Sequence, residues 1–501
     1  MKKDQSISET AAKGSAYNLA SLIILKMGGL AFTVIIARLL LPELFGIYAL
    51  ALSIVTIAVT FTDFGLNTTF IRYSSESLAK KNKKEVRGYF EFFLKRKIVL
   101  IIISVIALAS LSEYLSFEIY KNPIIYYPLI ISCLFVISES FREFFSSIFV
   151  AKKDIKPTVF LDFLSQILKI ALSIVAILIF SSEVKISFLF IAFFISSLVT
   201  LLFALLKLQK RHKEFFKGSS KKIDNSRVNK YWKYMALATL SLAFFGSIDT
   251  LMLGGFVSSE YLGYYRASLS LILSIAALFP LSSIFLPIFT QINKKRFERG
   301  FQKTIRYLLI ISIPATLGIV FLAKYLIFLI YGNEYLPATS SVYFLSLLII
   351  TTPLISLYST VLESKERPKR VSKAVIISLI ANVIFNYTSI KIFSYDPLLV
   401  IAGVGFSTAL SRIILLLILV YYSRKDLKLR VKGIGIRKPV ISTIVMSLFL
   451  YAFNYYTDVS LFTGILEVFL GIFIYFTTLI LMKGLNKEDW ILVRDLVRKK
   501  K

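Results

Sequence analysis

ARLLLPELFGIYALALS, residues 37–53, returns as GGFVSSEYLGYYRASLS at residues 254–270, with Glu43, Gly46, Tyr48, Leu52 and Ser53 matched by Glu260, Gly263, Tyr265, Leu269 and Ser270. The offset is 217 residues (263 − 46). Both copies join two long apolar runs, so one structural unit is duplicated within the chain. Six apolar spans separate the starts of the copies. An even number gives both copies the same orientation, related by an axis along the membrane normal, which is the plan of a two-lobed transporter.

The runs around the echo set the class. Apolar residues make up 56% of the chain and the mean hydropathy is +0.74, values that no soluble core needs. Uncharged runs of about 20 residues match the thickness of a bilayer, and lipid leaves backbone groups no partners, so the runs must be helices. The reading is an all-α polytopic membrane protein with about fourteen spans, near 14–37, 46–66, 98–116, 125–148, 158–180, 186–206, 234–255, 264–289, 307–330, 341–362, 374–390, 398–422, 439–456 and 460–482.

A formal charge of +31 could signal nucleic acid, but the placement of the charge decides otherwise. The N-terminus and alternate loops hold 50 of the 60 Lys and Arg residues, and the opposite loops hold Arg38, Lys121, Lys185, Arg266 and Lys391. This asymmetry assigns both termini and the basic loops to the cytoplasmic side of the cytoplasmic membrane. Lys26 interrupts the first apolar run and no small-residue cleavage site follows it, so that span is expected to be retained. Cys133, the single cysteine, lies within a span, and His212, the single histidine, lies in a basic loop where it reads as solvated.

The expected domains are an N-lobe at 1–206, a basic cytoplasmic linker at 207–233, a C-lobe at 234–422, two extra spans at 423–482 and an amphipathic cytoplasmic tail at 483–501. In the tail, Asn486 can cap a helix that places Trp490, Val493, Leu496 and Val497 on one face, with basic residues suited to anionic membrane lipid.

Ionisable side chains inside spans are costly and mark cavities or paths by default. Lys26 lies near the middle of span 1 and Arg412 near the middle of span 12, neither with a carboxylate within a helical turn. Glu139, Arg142 and Glu143 share one face of span 4, while Asp162, Gln166 and Lys169 share a stripe of span 5. Asp63 closes span 2 and Asp249 sits in the outer half of span 7. One reading is a net-positive cavity in which Lys26, Arg142, Lys169 and Arg412 meet the phosphates of an anionic substrate. The other is structural pairing, with Arg142 neutralising Glu139 and Glu143, and Asp162 pairing with Lys169.

ARLLLPELFGIYALALSIV (37–55), TDFGLNTTFIRY (62–73), SIDTLMLGGFVSSEYLGYYRASLSL (247–271), LIYGNEYLPA (329–338) and VIAGVGFSTALSR (400–412) occur in an order and spacing that resembles the polysaccharide biosynthesis membrane proteins, the O-antigen repeat-unit (Wzx) flippases of the multidrug/oligosaccharidyl-lipid/polysaccharide (MOP) exporter superfamily. The resemblance covers residues from about 10 to about 480. It implies a MOP/MATE-like fold and alternating access, with a lipid-linked oligosaccharide as substrate and polysaccharide assembly proteins as partners. It also implies basic cavity residues in spans 1, 2 and 8 against a pyrophosphate, which Lys26 and Arg266 match; Arg72 lies near the cytoplasmic end of span 2. Spans 13 and 14 would flank a groove for the lipid tail. No cofactor is expected beyond a coupling Na+ or H+, for which Asp249, Asp63 and Asp162 are the candidates.

Two other readings compete. A cation-coupled drug exporter of the same superfamily should carry an acidic, aromatic cavity. An integral membrane glycosyltransferase or polymerase should carry large outward loops with catalytic groups, and no outward loop here exceeds about a dozen residues. No Walker A or H-E-x-x-H sequence is present, so the chain reads as a transporter and not an enzyme.

Overall fold

The computed structural model describes residues 2–182, 184–216, 219–221, 223–278, 294–365, 367–429, 435–457 and 460–485, with side chains from residue 28 onward except at 294–296 and 461. The described residues are helical, with no strand among them. The main helices are α1 (Lys2–Asp63), α2 (Leu66–Ala79), α3 (Lys83–Tyr114), α4 (Tyr126–Ala151), α5 (Ile155–Ile179), α6 (Lys185–Arg211), α7 (Asn225–Gly254) and α8 (Ser259–Ala276). They continue as α9 (Lys294–Tyr331), α10 (Thr339–Leu345), α11 (Leu348–Ser364), α12 (Pro368–Ile392), α13 (Pro397–Leu427), α14 (Arg437–Tyr456) and α15 (Leu461–Leu481).

Among the described residues, 11 helical segments are long and apolar enough to cross a membrane, or 12 if Asn333–Leu345 and Leu348–Ser364, bent by 48°, form one crossing. The protein is therefore a multi-pass membrane protein. One segment, Gly28–Ala79, is 52 residues long, more than twice the roughly 20 residues that a bilayer requires. It contains the second expected span, 46–66, and the end of the first, 14–37. The expected span at 264–289 runs into residues 279–293, and the expected tail helix beyond 485 likewise lies outside the described residues.

The separation between the first two spans is sharper than a loop. Within α1, Leu41 adopts φ 63° and ψ 169° immediately before Pro42. Proline supplies no amide hydrogen and its ring disfavours helical geometry in the preceding residue, so Leu-Pro breaks the helix at one position. In the second copy the break falls between Gly254 and Ser259. Helix resumes at Pro42 in one copy and Ser259 in the other, the same offset of 217 (259 − 42).

The two echoes also touch. A Cβ on Gly46 would stand 1.8 Å from the Ser259 carbonyl oxygen, and one on Gly263 would stand 2.0 Å from that of Pro42. Each glycine thus admits the backbone that begins the other copy's helix. The duplicated sequence forms a reciprocal contact with itself.

The chain forms two compact units, Met1–Ala267 with Pro368–Ser407, and Ser268–Arg367 with Thr408–Lys501. In the first, α4 packs on α6, α5 on α6 and α1, and α7 on α1 and α12. Its aromatic core joins Phe70, Phe90, Phe93, Phe144, Phe149 and Phe215. In the second, α9 packs against α11, α14 and α15, around Ile310, Met446, Leu450, Tyr475 and Leu479. The Tyr475 hydroxyl donates to the Ile310 carbonyl at 2.6 Å.

The basic segment at 207–233 is folded against its neighbours. Phe215 is fully buried, the Lys221 amide donates to the Lys84 carbonyl at 3.0 Å, and Arg87 donates to the Phe216 carbonyl at 3.0 Å. His212 departs from the solvated state expected of it, being only 9% exposed. Its ring meets Phe149 edge-on, with centroids 5.8 Å apart, and Nε2 lies 3.6 Å from Asp154 Oδ2. Burial lowers its pKa from the usual imidazole value against the opposing pull of Glu214 and Asp154. Loop composition could not reveal this, because the packing partner Phe149 belongs to α4.

Candidate functional site

Three positions related by the internal offset build one site in each copy. Adding 217 to 32, 48 and 169 turns Phe32, Tyr48 and Lys169 into Asp249, Tyr265 and Asn386. In the second copy these side chains are hydrogen-bonded. Asp249, 4% exposed, accepts from the Tyr265 hydroxyl at 2.8 Å and from Asn386 Nδ2 at 2.7 Å. In the first copy, the Lys169 ammonium stands over the rings of Phe32 at 4.4 Å and Phe193 at 4.2 Å. Phe193 also contacts Phe32 and Tyr48, with centroids 5.7 Å and 6.2 Å away. The shared scaffold therefore presents a buried carboxylate in one copy and a cation over aromatic faces in the other.

Further buried amide groups lie on α12, the helix that carries Asn386. Asn382 lies one helical turn before Asn386 on α12, and both its side-chain polar atoms are buried without a hydrogen-bond partner, as is Asn386 Oδ1. Each such group costs about 1–3 kcal/mol when left unsatisfied. Hard cations take carboxylate and amide oxygens as ligands. The Asp249 carboxylate and the Asn386 amide oxygen are the donor types that a small hard cation takes, and Asp249 can also take a proton.

A second cluster gathers around α4. Arg142 donates through Nε to Glu139 Oε2 at 2.8 Å, Nη1 lies 3.7 Å from Asp162 Oδ1, and Ser197 donates to the same Glu139 oxygen at 2.8 Å. Lys97, fully buried, donates to Thr62 Oγ1 at 3.3 Å, and Thr62 is joined to Ser140 at 2.5 Å. Lys97 is also under the electrostatic influence of Asp63, Glu143 and Glu139. Asp63, Glu139, Glu143 and Asp162 thus oppose Lys97, Arg142 and Lys169, so this cluster is not the net-positive lining expected. Pairing is the physical reason: a buried charge is tolerable when an opposite charge and hydrogen bonds meet it. Arg142 is held by protein carboxylates, and Asp162 faces Arg142 where Lys169 had been the expected partner.

The remaining expected site residues are dispersed. Asp63 ends α1 and accepts from the Asn67 amide at 2.9 Å, stabilising the start of α2. Arg266 is half-buried on α8 and acts electrostatically on the Tyr48 hydroxyl. Arg412 is half-buried on α13, in the second compact unit. Lys26 lies in α1, but its side chain falls outside the described residues.

Lys97, Asn382 and Asn386 were not among the expected site residues. Lys97 had been counted in a basic loop, yet Phe90, Phe93, Lys97, Ile101, Ser104 and Leu108 form one buried stripe of α3, and that spacing was available in the sequence. The asparagines carry no charge, so a search for intramembrane charge passes over them.

Comparisons with known proteins agree with this architecture. The family model described as "Polysaccharide biosynthesis protein" matches residues 35–340, and that described as "Lipid II flippase MurJ" matches residues 234–472. A Haloferax volcanii protein named "Probable low-salt glycan biosynthesis flippase Agl15" is 22% identical over 262 residues, 50% of this chain and 53% of that protein. The match thus spans about half the length of that relative. Among solved structures, the lipid II flippase MurJ in an inward closed conformation superposes with a TM-score of 0.66 at 17% identity, covering 97% of this chain and 100% of that one. An inward-facing multidrug resistance MATE family transporter of the MOP superfamily gives 0.58 at 14% identity, covering 83% and 96%. With the fold of MOP-superfamily transporters and a family model matched over more than half its length, the chain belongs to the polysaccharide biosynthesis protein family.

Proposed function

We propose that the protein is a flippase that moves a polyprenyl-pyrophosphate-linked oligosaccharide across the cytoplasmic membrane by alternating access, for cell-surface glycan assembly, with both termini in the cytoplasm. The observation that carries this reading is the divergence of the duplicated site, Lys169 over Phe32 and Phe193 in one copy and Asp249 with Tyr265 and Asn386 in the other. In the proposed mechanism Lys26 and Lys169 of the first copy, together with Arg266 of the second, attract the anionic head. The second copy binds Na+ or H+ at Asp249, and that ion's gradient drives the cycle. Arg142 serves by holding Glu139 and Asp162 in place. The two six-helix lobes at 1–206 and 234–422 are the proposed moving bodies.

Purified protein in liposomes should move a fluorescent polyprenyl-pyrophosphate oligosaccharide between leaflets, faster with an imposed sodium or proton gradient than without. Movement no faster than protein-free leak, beside an active control flippase, would reject the proposal. The four carboxylates around α4 favour a drug exporter as second reading, and resistance of expressing cells to lipophilic cations would distinguish it.

A further inference from the structure

Two apolar cavities adjoin in the second compact unit. One, of about 310 Å³, is bounded by Ile310, Leu322, Met446, Glu467, Val468 and Tyr475. The other, of about 170 Å³, includes Leu322, Tyr325, Gly464 and Val468. Leu322 and Val468 belong to both walls, so the cavities follow each other along α9 and α15.

Each cavity wall carries a buried polar atom that the protein leaves unsatisfied. Glu467 is fully buried; its Oε1 accepts from Asn454 Nδ2 at 2.8 Å, while Oε2 has no hydrogen-bond partner. Tyr325 is 6% exposed and its hydroxyl likewise has none. They line adjoining cavities that share Leu322 and Val468. A Cβ on Gly464 would lie 3.0 Å from the Tyr325 ring, and Gly464 is one helical turn before Glu467, on the same face. A carboxylate oxygen and a phenol left unpaired in hydrocarbon are both costly, so their joint presence points to a ligand.

Depth and chemistry identify the class. Glu467 lies six residues inside the start of α15 at Leu461, about 9 Å along a helix rising 1.5 Å per residue. That end carries exposed Tyr455, Tyr456 and Phe462, the aromatic residues that favour a membrane interface. Glu467 thus lies fewer than two helical turns inside that aromatic belt. A carboxylate there complements an ammonium, and a phenol can donate to phosphate or ester oxygen. The hydrocarbon tail of a polyprenyl substrate has no group to offer either.

We propose that this groove binds a membrane phospholipid with a primary ammonium headgroup. The ammonium donates to Glu467, the Tyr325 hydroxyl donates to a phosphate or ester oxygen, and an acyl chain fills the apolar cavities. The site is separate from that around Asp249 and does not depend on the transport reading.

Binding to the full-length protein in detergent, measured by native mass spectrometry and by thermal unfolding, tests this with phosphatidylethanolamine, phosphatidylcholine and phosphatidylglycerol of matched acyl chains. The ethanolamine lipid should bind about tenfold more tightly than the glycerol lipid, with the choline lipid, which lacks N–H donors, in between. Glu467→Gln should abolish the preference, and Tyr325→Phe should weaken the ethanolamine and choline lipids alike. Equal binding of the three lipids to the unaltered protein would overturn the proposal, as would a preference that survives Glu467→Gln. If Glu467→Gln does not fold, the selectivity of the unaltered protein decides alone.

Discussion

Gly46 and Gly263 occupy equivalent positions in the two sequence copies, and each faces a carbonyl that begins the other copy's helix, that of Ser259 for Gly46 and that of Pro42 for Gly263. At these separations any side chain overlaps backbone oxygen. Gly46→Ala and Gly263→Ala should each force the helices apart, at a cost of about 1–3 kcal/mol for overpacking. Each should lower the unfolding temperature and increase maleimide labelling of a cysteine placed at Ser259. Unchanged labelling in both variants would show that the contact does not hold the two segments together.

Asp249→Asn should remove the charge that the proposed coupling ion requires while retaining a group able to hydrogen-bond Tyr265. The expected result is a folded protein whose transport no longer responds to a sodium or proton gradient. Tyr265→Phe removes one hydrogen bond to a charged acceptor, worth about 1.5–3 kcal/mol, and should weaken the response without abolishing it. Both are read from transport rates at several ion concentrations.

Lys97 tests the paired reading of the cluster around α4. Lys97→Met leaves Asp63 and Glu143 with less compensation, and breaking a buried ionic arrangement costs about 3–5 kcal/mol. The double variant Lys97→Met, Glu143→Gln should recover much of that loss, because it removes charge of both signs. A double-mutant cycle on thermal stability supplies the coupling energy; additive effects would separate the two residues.

Lys26→Ala, Lys169→Ala and Arg412→Ala should each impair flipping with little loss of protein from the membrane. Normal flipping by all three, measured with the fluorescent lipid-linked oligosaccharide, would remove the basic residues from the proposed substrate path.

His212 makes stability depend on pH at the joint between α6 and α4. Its folded pKa is depressed by burial, so the unfolded chain binds the proton more readily. The contribution is fully present above about pH 6.5, the ordinary imidazole value, and declines as pH falls through and below that value. Unfolding temperature should drop more steeply with acidification for the unaltered protein than for His212→Gln.

Much of the fold was legible because its causes are local. Helicity, membrane residence and the duplication follow from apolar runs of bilayer length and from a repeated string, each read along a single stretch of chain. The break at Leu41–Pro42 was half legible: proline marked the place, and only the tertiary structure showed one kinked residue between the spans expected at 14–37 and 46–66. At the site, Asp249 stood out as a charge in an apolar span. Asn386 did not, since an uncharged amide inside a helix carries no signal until a carboxylate from another helix is seen beside it.

The sequence by itself thus determined the class, the repeat and the family, since transfer of side chains into lipid and helix periodicity act residue by residue. Tertiary structure alone decided which charges are paired. Arg142 meets Asp162 of α5 as well as Glu139 of its own helix, Lys97 meets Thr62 of α1, and Lys169 stands over Phe32 of α1 and Phe193 of α6. The physical reason is that a buried polar group is stabilised by partners from distant segments, and those pairings leave no pattern along the chain.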